Sequence, residues 1–477
     1  MKTSSSVARV VQRVRETVVA LPVGAQLPSV RELMDRLAVG PGTVREAFAA
    51  LVSEGLIEAH PGRGTFVAPR SPASGAATAR GDLGWQSVAL GAARADTDAL
   101  GELAALPPPG AIPLSTGYLP DDLQATRELS VAMGRAATRP GIWDRIPLEG
   151  LEPLRAWFAR ELGSGGGGGG FSAREVMICP GSQGAIATAF RGLAAPGDAV
   201  LVEAPTYIGA MTAARAAGLR IVPVAADAHG VRPDLLADAL RSSGARLFYS
   251  QPTYANPSGA VLGETRRRDV LAAVAEARAF MIEDDWARDL HLGDKPAPPP
   301  VASHDVDGHV VYIRSLTKPA APGLRVAALC ARGAAFARLR STRNADDFFV
   351  AGPLQEAALQ LVSSPAWPRH LRAVRTALRE RRDALAAAVR DGFGPHALPL
   401  VPEGGLHLWA RLPDGVSDAD VAARAARANV IVGAGRGWFA AEPPGPFLRL
   451  TFAGAPPDAL RHGVEILAEI VDTGRRL

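Results

Sequence analysis

The chain has 477 residues, enough for more than one domain and a sizeable core. With 47% hydrophobic and 21% charged residues it is neither disordered nor fibrous, and no apolar run is long enough to cross a bilayer. Its two cysteines, Cys179 and Cys330, lie in apolar segments, which excludes a disulfide scaffold and a cysteine-based zinc site.

A cytoplasmic protein without a membrane anchor or a metal is expected, since Met1-Lys-Thr-Ser-Ser-Ser has no apolar stretch behind it to act as a leader. The net charge of +4 is unevenly placed. Residues 1–70 hold Lys2 and eight arginines against six acids, a net +3, which points weakly to nucleic acid.

Val7, Val10, Val11, Val14 and Val18 recur at helical spacing and predict a first helix that ends near Leu21-Pro22. Ser29 followed three residues later by Glu32 is a capping box, so a second helix starts there and runs to about Leu37. Val39-Gly40-Pro41-Gly42 is a tight turn, and Pro41 suits the first position of a third helix carrying Thr43, Val44, Arg45, Phe48 and Leu51. Two short helices joined by a turn have helix-turn-helix geometry. The apolar segments on either side of Pro61-Gly-Arg-Gly64 read as a hairpin wing with Arg63 at its tip.

On Leu-Pro-Ser-Val-Arg-Glu-Leu, Thr-Val-Arg-Glu-Ala, Leu-Val-Ser-Glu-Gly-Leu-Ile and Pro-Gly-Arg-Gly-Thr-Phe-Val, this winged helix resembles the GntR family of bacterial repressors. The resemblance implies that Arg31, Thr43, Arg45, Arg63 and Gly64 meet double-stranded DNA, with arginine able to read guanine and threonine or backbone amides to position. Gly40 and Pro41 stand where the family has serine and arginine, so one backbone contact is expected to be missing.

Residues 71–111, rich in small residues and proline, are expected to be a flexible linker between a winged helix over 1–70 and a body over 112–477. In the body, short apolar strands (176–179, 199–202, 220–224, 246–250, 280–283, 310–313, 326–330) alternate with Ala/Leu/Arg-rich helices. That is the pattern of a mostly parallel α/β sheet covered on both faces, with ligands at the carboxyl ends of its strands.

Polar motifs fall at those ends. Pro180-Gly-Ser182-Gln183-Gly opens a helix, as a phosphate site does. Glu203-Ala-Pro-Thr-Tyr207, Gln251-Pro-Thr-Tyr-Ala-Asn256-Pro-Ser-Gly and Glu283-Asp284-Asp285-Trp286 follow, and Ser315-Leu-Thr317-Lys318 leads to Arg325. A lysine that acts as a nucleophile must be partly neutral at working pH, which burial or nearby cations can arrange.

In this order the motifs resemble class I/II aminotransferases, the fold-type I enzymes dependent on pyridoxal phosphate, with a smaller C-terminal α+β subdomain; the whole chain is similar to a MocR-type regulator. The resemblance implies Lys318 as the Schiff-base lysine, Asp284 beneath the pyridine nitrogen, Asn256 at the phenolate oxygen and Tyr207 stacked on the ring. It further implies phosphate held by Ser182, Gln183, Ser315, Thr317 and Arg325, and Arg449, at the end of a strand, gripping the α-carboxylate of an amino-acid or amine ligand.

Two departures bear on activity. Trp286 replaces a tyrosine that helps bind the phenolate oxygen, and before Gly150-Leu-Glu-Pro-Leu-Arg155 the chain offers Trp143 and Arg145 where the family has a tyrosine that reaches the partner subunit. The expected protein is a homodimeric, pyridoxal-phosphate-dependent transcription factor that senses an amino acid or amine; the alternative is a working aminotransferase with an accessory DNA-binding head.

Overall fold

Helical spacing in the first twenty residues produces one amphipathic helix. The computed structural model describes residues 5–60, 64–68, 83–90, 98–163 and 169–474, and its chain separates into two compact units, residues 1–92 and 93–477. In the first, α1 (Ser5–Ala20), α2 (Val30–Leu37), α3 (Pro41–Ser53) and the antiparallel pair β1 (Ile57–His60) and β2 (Gly64–Val67) form a winged helix.

Val10, Val14, Val44, Leu51 and Ile57 are buried in a common core. Each such aliphatic side chain contributes about 1.5–3 kcal/mol in area terms, an upper estimate. The backbone of residues 24–27 hydrogen-bonds to β2, with Leu27 N donating to Thr65 O at 2.8 Å and Val67 N to Ala25 O at 2.9 Å. These bonds tie the wing to the turn that feeds α2.

The capping box forms as expected: Glu32 N donates to Ser29 Oγ at 3.2 Å, and Ser29 N donates to Glu32 Oε2 at 2.8 Å. In contrast, α3 begins on Gly40 with no side-chain cap, and Pro41 at its first position has no N–H to satisfy.

Strands that are buried on both faces read as continuous apolar runs, and the body's main sheet is built from such runs. After β3 (Ile112–Pro113) come β4 (Val176–Cys179), β5 (Ala199–Ala204), β6 (Arg220–Asp227), β7 (Gly230–Val231), β8 (Leu247–Ser250), β9 (Phe280–Asp285), β10 (Val310–Ser315) and β11 (Ala327–Cys330). The eight-stranded order is β4-β11-β10-β9-β8-β5-β6-β7. Pairing is parallel from β6 through β5, β8 and β9 to β10, and antiparallel at the edges.

Two buried apolar clusters lie against the sheet, one including Ile178, Leu201, Phe248 and Met281, the other Met177, Val200, Leu247 and Ile282, as alternation along each strand requires. A smaller subdomain adds β12 (His407–Arg411), β13 (Val430–Ile431), β14 (Gly433–Ala434) and β15 (Phe447–Thr451), where β12, β15 and β14 form an antiparallel sheet.

Two readings change. The stretch expected as linker contains α4 (Gly84–Leu90) and α5 (Asp98–Ala104). In α5, Ala99, Leu100 and Leu103 share one face and pack with Ile208, Met211 and Trp438, so that segment belongs to the body. Arg449 lies in the middle of β15 rather than at its end, because pairing with β12 continues to Thr451. Of the residues expected to meet DNA, Arg63 lies outside the described residues, while Gly64 opens β2 with φ +111°.

Ser29→Ala removes an acceptor at the start of α2. Loss of about 1 kcal/mol is expected, read in the full chain as faster hydrogen exchange of the α1–α3 amides while the amides of β8–β10 stay unchanged.

Candidate functional site

The acid triplet at the end of β9 is sorted by strand alternation. Glu283 accepts from Val301 N (3.0 Å) and Ala302 N (2.8 Å), and Asp285 accepts from the Tyr312 hydroxyl (2.8 Å) and from Arg288. Asp284 alone of the three lines the pocket at the strand ends. Its Oδ2 accepts from Tyr249 OH and Gln251 Nε2, both at 2.8 Å, and its Oδ1 is buried without a hydrogen-bond partner. Burial, assisted by Asp285, pushes this carboxyl up to about 6, against the pull of Tyr249, Gln251 and Lys318.

Lys318 enters the same pocket from the turn after β10. Its Nζ donates to Gly117 O at 2.7 Å and lies 3.8 Å from the centre of the Tyr118 ring. Burial first, and then the charges of Arg449 and Arg325, bring its amine down to about 7 in spite of Asp284. The residue expected to be nucleophilic is therefore partly neutral at physiological pH.

At one end of the pocket, Ser182 opens the helix Ser182–Leu193, and the Arg325 guanidinium reaches over Gly181 to donate to Pro180 O at 3.1 Å. Gly181 has φ +88°, and a Cβ there would come within 2.5 Å of Arg325 Nη2, so only glycine fits. Ser315 Oγ accepts from Thr317 N at 3.0 Å, and Gln183 Nε2 donates to Gly209 O at 2.8 Å. Ser182 Oγ, Gln183 Oε1 and Thr317 Oγ1 are buried with no hydrogen-bond partner.

Buried polar atoms without partners are costly; the two hydroxyls, Ser182 Oγ and Thr317 Oγ1, can donate, and beside one cation and one helix N-terminus they mark where an anion belongs, whereas Gln183 Oε1 can only accept. With Asp284 Oδ1 unsatisfied elsewhere in the pocket, the donor set fits a ligand with a phosphate at one end and a protonated ring nitrogen in its body.

Arg449 is 1% exposed. Its Nη1 donates to His407 Nε2 at 2.9 Å and, at 3.4 Å, to Asn256 Oδ1; Nη2 donates to Ser115 O, and the guanidinium lies 4.6 Å from the centre of the Trp438 ring. His407 Nε2 also lies 3.3 Å from Thr116 O, and burial together with Arg449 keeps that imidazole neutral. Burial brings Arg449 down to about 9, still cationic at neutral pH.

The pocket thus brings together Ser182, Gln183, Tyr207, Asn256, Asp284, Ser315, Thr317, Lys318 and Arg325, with Arg449 reaching Asn256. Tyr207 caps the helix Ile208–Ala216, and burial and Asp284 hold its hydroxyl well above the usual tyrosine range. Tyr118, Gln251 and Trp286 complete the lining. Tyr118 was not legible in the sequence because nothing near Gly117-Tyr118 marks its approach to Lys318; the alternation of Tyr249 and Gln251 ahead of Asn256 was a usable signal.

Trp286 lines the pocket, but its indole N–H donates to Tyr254 O at 3.0 Å. That N–H is therefore taken up by a backbone carbonyl. Trp143 is 72% exposed, with its indole N–H on Ala137 O at 3.0 Å, and Arg145 is exposed. In the winged helix, Arg31 and Arg45 are exposed and Thr43 is half-buried at the start of α3.

Comparison with known proteins follows the same division. Residues 112–467 match the family described as Aminotransferase class I and II, and residues 6–67 match Bacterial regulatory proteins, gntR family. The HTH-type transcriptional regulator YisV of Bacillus subtilis is 30% identical, with 81% of this chain and 79% of that protein covered. The vitamin B6 salvage pathway transcriptional repressor PtsJ of Salmonella typhimurium is 27% identical, covering 84% of each. Among solved structures, the α-aminoadipate aminotransferase LysN of Thermus thermophilus, complexed with N-(5'-phosphopyridoxyl)-L-leucine, superposes with a TM-score of 0.73 at 28% identity, covering 82% of this chain and 99% of that one. No helix among the described residues is long and apolar enough to cross a membrane.

Capture of Lys318 by an aromatic aldehyde, fixed with borohydride and located by peptide mapping, should accelerate as pH rises through about 7, because the free amine is the reactive form. A rate that climbs only toward the ordinary lysine value of about 10.4 contradicts the burial argument.

Proposed function

This chain belongs to the class I and II aminotransferase family and opens with a gntR-family domain, which makes it a MocR-type transcriptional regulator that binds pyridoxal 5'-phosphate; on that premise we propose that its body senses an amino acid or amine and adjusts the grip of its head on DNA. The observation that carries the reading is a cofactor-fitting pocket on the same chain as a winged helix, with the indole N–H of Trp286 spent on Tyr254. Binding groups are retained while the side chain that stands in the place of an expected tyrosine donates to the backbone.

Bound in this pocket, pyridoxal phosphate supplies an aldehyde for a primary amine and an electron-withdrawing ring. Ser182, Ser315, Thr317, Arg325 and the backbone amide of Gln183 would hold the phosphate. Asp284 would keep a proton on the ring nitrogen, Asn256 would donate to the ring oxygen, and Tyr207 would stack on the ring. Lys318 would provide the amine, and Arg449 would take a ligand's α-carboxylate.

Ser115 O and Gly117 O already accept from Arg449 and Lys318. A carboxylate on Arg449 would compete with the Ser115 carbonyl, which places residues 115–118 where ligand binding can be felt. A ligand that favours one state shifts the population by its differential affinity.

With a panel of amino acids and 2-oxo acids, the full chain should show slow or single turnover together with altered retention of operator DNA. Rapid multiple turnover with unchanged retention would favour the aminotransferase reading, and a wild-type protein lacking the visible absorbance that Lys318→Ala abolishes would remove the sensing role altogether.

We also propose a homodimer, whose paired heads would read two half-sites. Arg45, exposed on α3, is assigned to a base edge: Arg45→Ala should weaken operator binding by about 1–3 kcal/mol in a fluorescence titration, with sedimentation reporting a dimer in both proteins.

A further inference from the structure

We propose that Tyr249 and Gln251 act as a two-donor clamp, positioning residues that keep Asp284 ionised and turn its second oxygen toward the cofactor. This rests on the assignment of Asp284 to the ring nitrogen and adds two residues to it. Both donors converge on Oδ2 at 2.8 Å, leaving Oδ1 buried and unpartnered.

The orientation of the Gln251 amide follows from its other end. Asn256 N, which can only donate, lies 2.9 Å from Gln251 Oε1, so that oxygen accepts and Nε2 must be the atom that faces Asp284. Gln251 thereby ties the carboxylate to the backbone of Asn256, a second cofactor contact. Its own backbone is anchored where Gln251 N donates to Glu203 Oε2 at 3.0 Å, beside Ser250 Oγ donating to Glu203 Oε1 at 2.9 Å. Tyr249 is fully buried, and burial with Asp284 beside it keeps its hydroxyl protonated, so it stays a donor.

The charged and titratable groups that bear on Asp284 are Asp285 on β9, Lys318 after β10, Tyr207 ahead of the helix Ile208–Ala216, and Tyr249 on β8. Burial and Asp285 favour the neutral acid; Lys318 and the two clamp donors oppose them. A carboxylate that loses a donor keeps its proton to higher pH, so its charge disappears earlier as pH falls.

The test uses the full-length protein loaded with pyridoxal phosphate, comparing wild type with Tyr249→Phe, which keeps the ring, and Gln251→Leu. Bound-cofactor absorbance and dissociation constant are measured across pH. Each variant should bind cofactor about tenfold more weakly at neutral pH and lose it on acidification at a midpoint about one pH unit higher than wild type. Weakening by the same factor at every pH, with an unmoved midpoint, would mean a structural role and overturn the clamp. If Gln251→Leu does not fold, Tyr249→Phe decides alone. A wild-type protein that binds no cofactor sinks the underlying assignment, whereas a wild type that binds beside variants with its own pH profile sinks the clamp only.

Discussion

Asp284 is a carboxylate with almost no exposure, in a pocket it shares with the half-buried Lys318 and Arg325, and much of the surrounding structure answers the cost of keeping it there. Removing an ion from water costs several kcal/mol unless partners replace the lost hydration. Tyr249, Gln251 and Lys318 oppose that cost at Asp284, while Asp285 adds to it from the same strand. The same exclusion of water weakens the proton affinity of Lys318. One physical cause, burial, therefore raises the acid and lowers the amine toward neutral pH.

The sheet makes this arrangement possible by alternation. Glu283 and Asp285 carry the same charge as Asp284 but take up structural bonds with Val301, Ala302, Arg288 and Tyr312. Only the middle residue of the triplet is left for the pocket. Across the site, Arg449 is set in mid-strand between His407, Trp438 and the Ser115 carbonyl, which fixes a guanidinium that would otherwise sample many rotamers.

The winged helix obeys a more local logic. Its second helix opens on its own capping box, and its third starts on Gly40 and Pro41, where no side chain caps the helix. Arg31 and Arg45 stay exposed on α2 and α3 because the apolar positions between them fill the core.

What the sequence determined by itself were the features carried by neighbouring residues: the capping box of Ser29 and Glu32, the hairpin of β1 and β2, the apolar strands of the body, and the placing of Asp284, Asn256 and Lys318 at strand ends. These rest on periods of two and 3.6 residues and on turn chemistry, all of which act over a few positions. Tertiary structure alone decided which groups meet. Gly117 lies 201 residues from Lys318, and Ser115 lies 334 from Arg449. It also decided that Trp286 spends its N–H on Tyr254, that α5 joins the body, and that Tyr249 and Gln251 converge on one oxygen of Asp284. Such contacts depend on how β8, β9, β10 and β15 are stacked and registered, and no local pattern encodes that geometry.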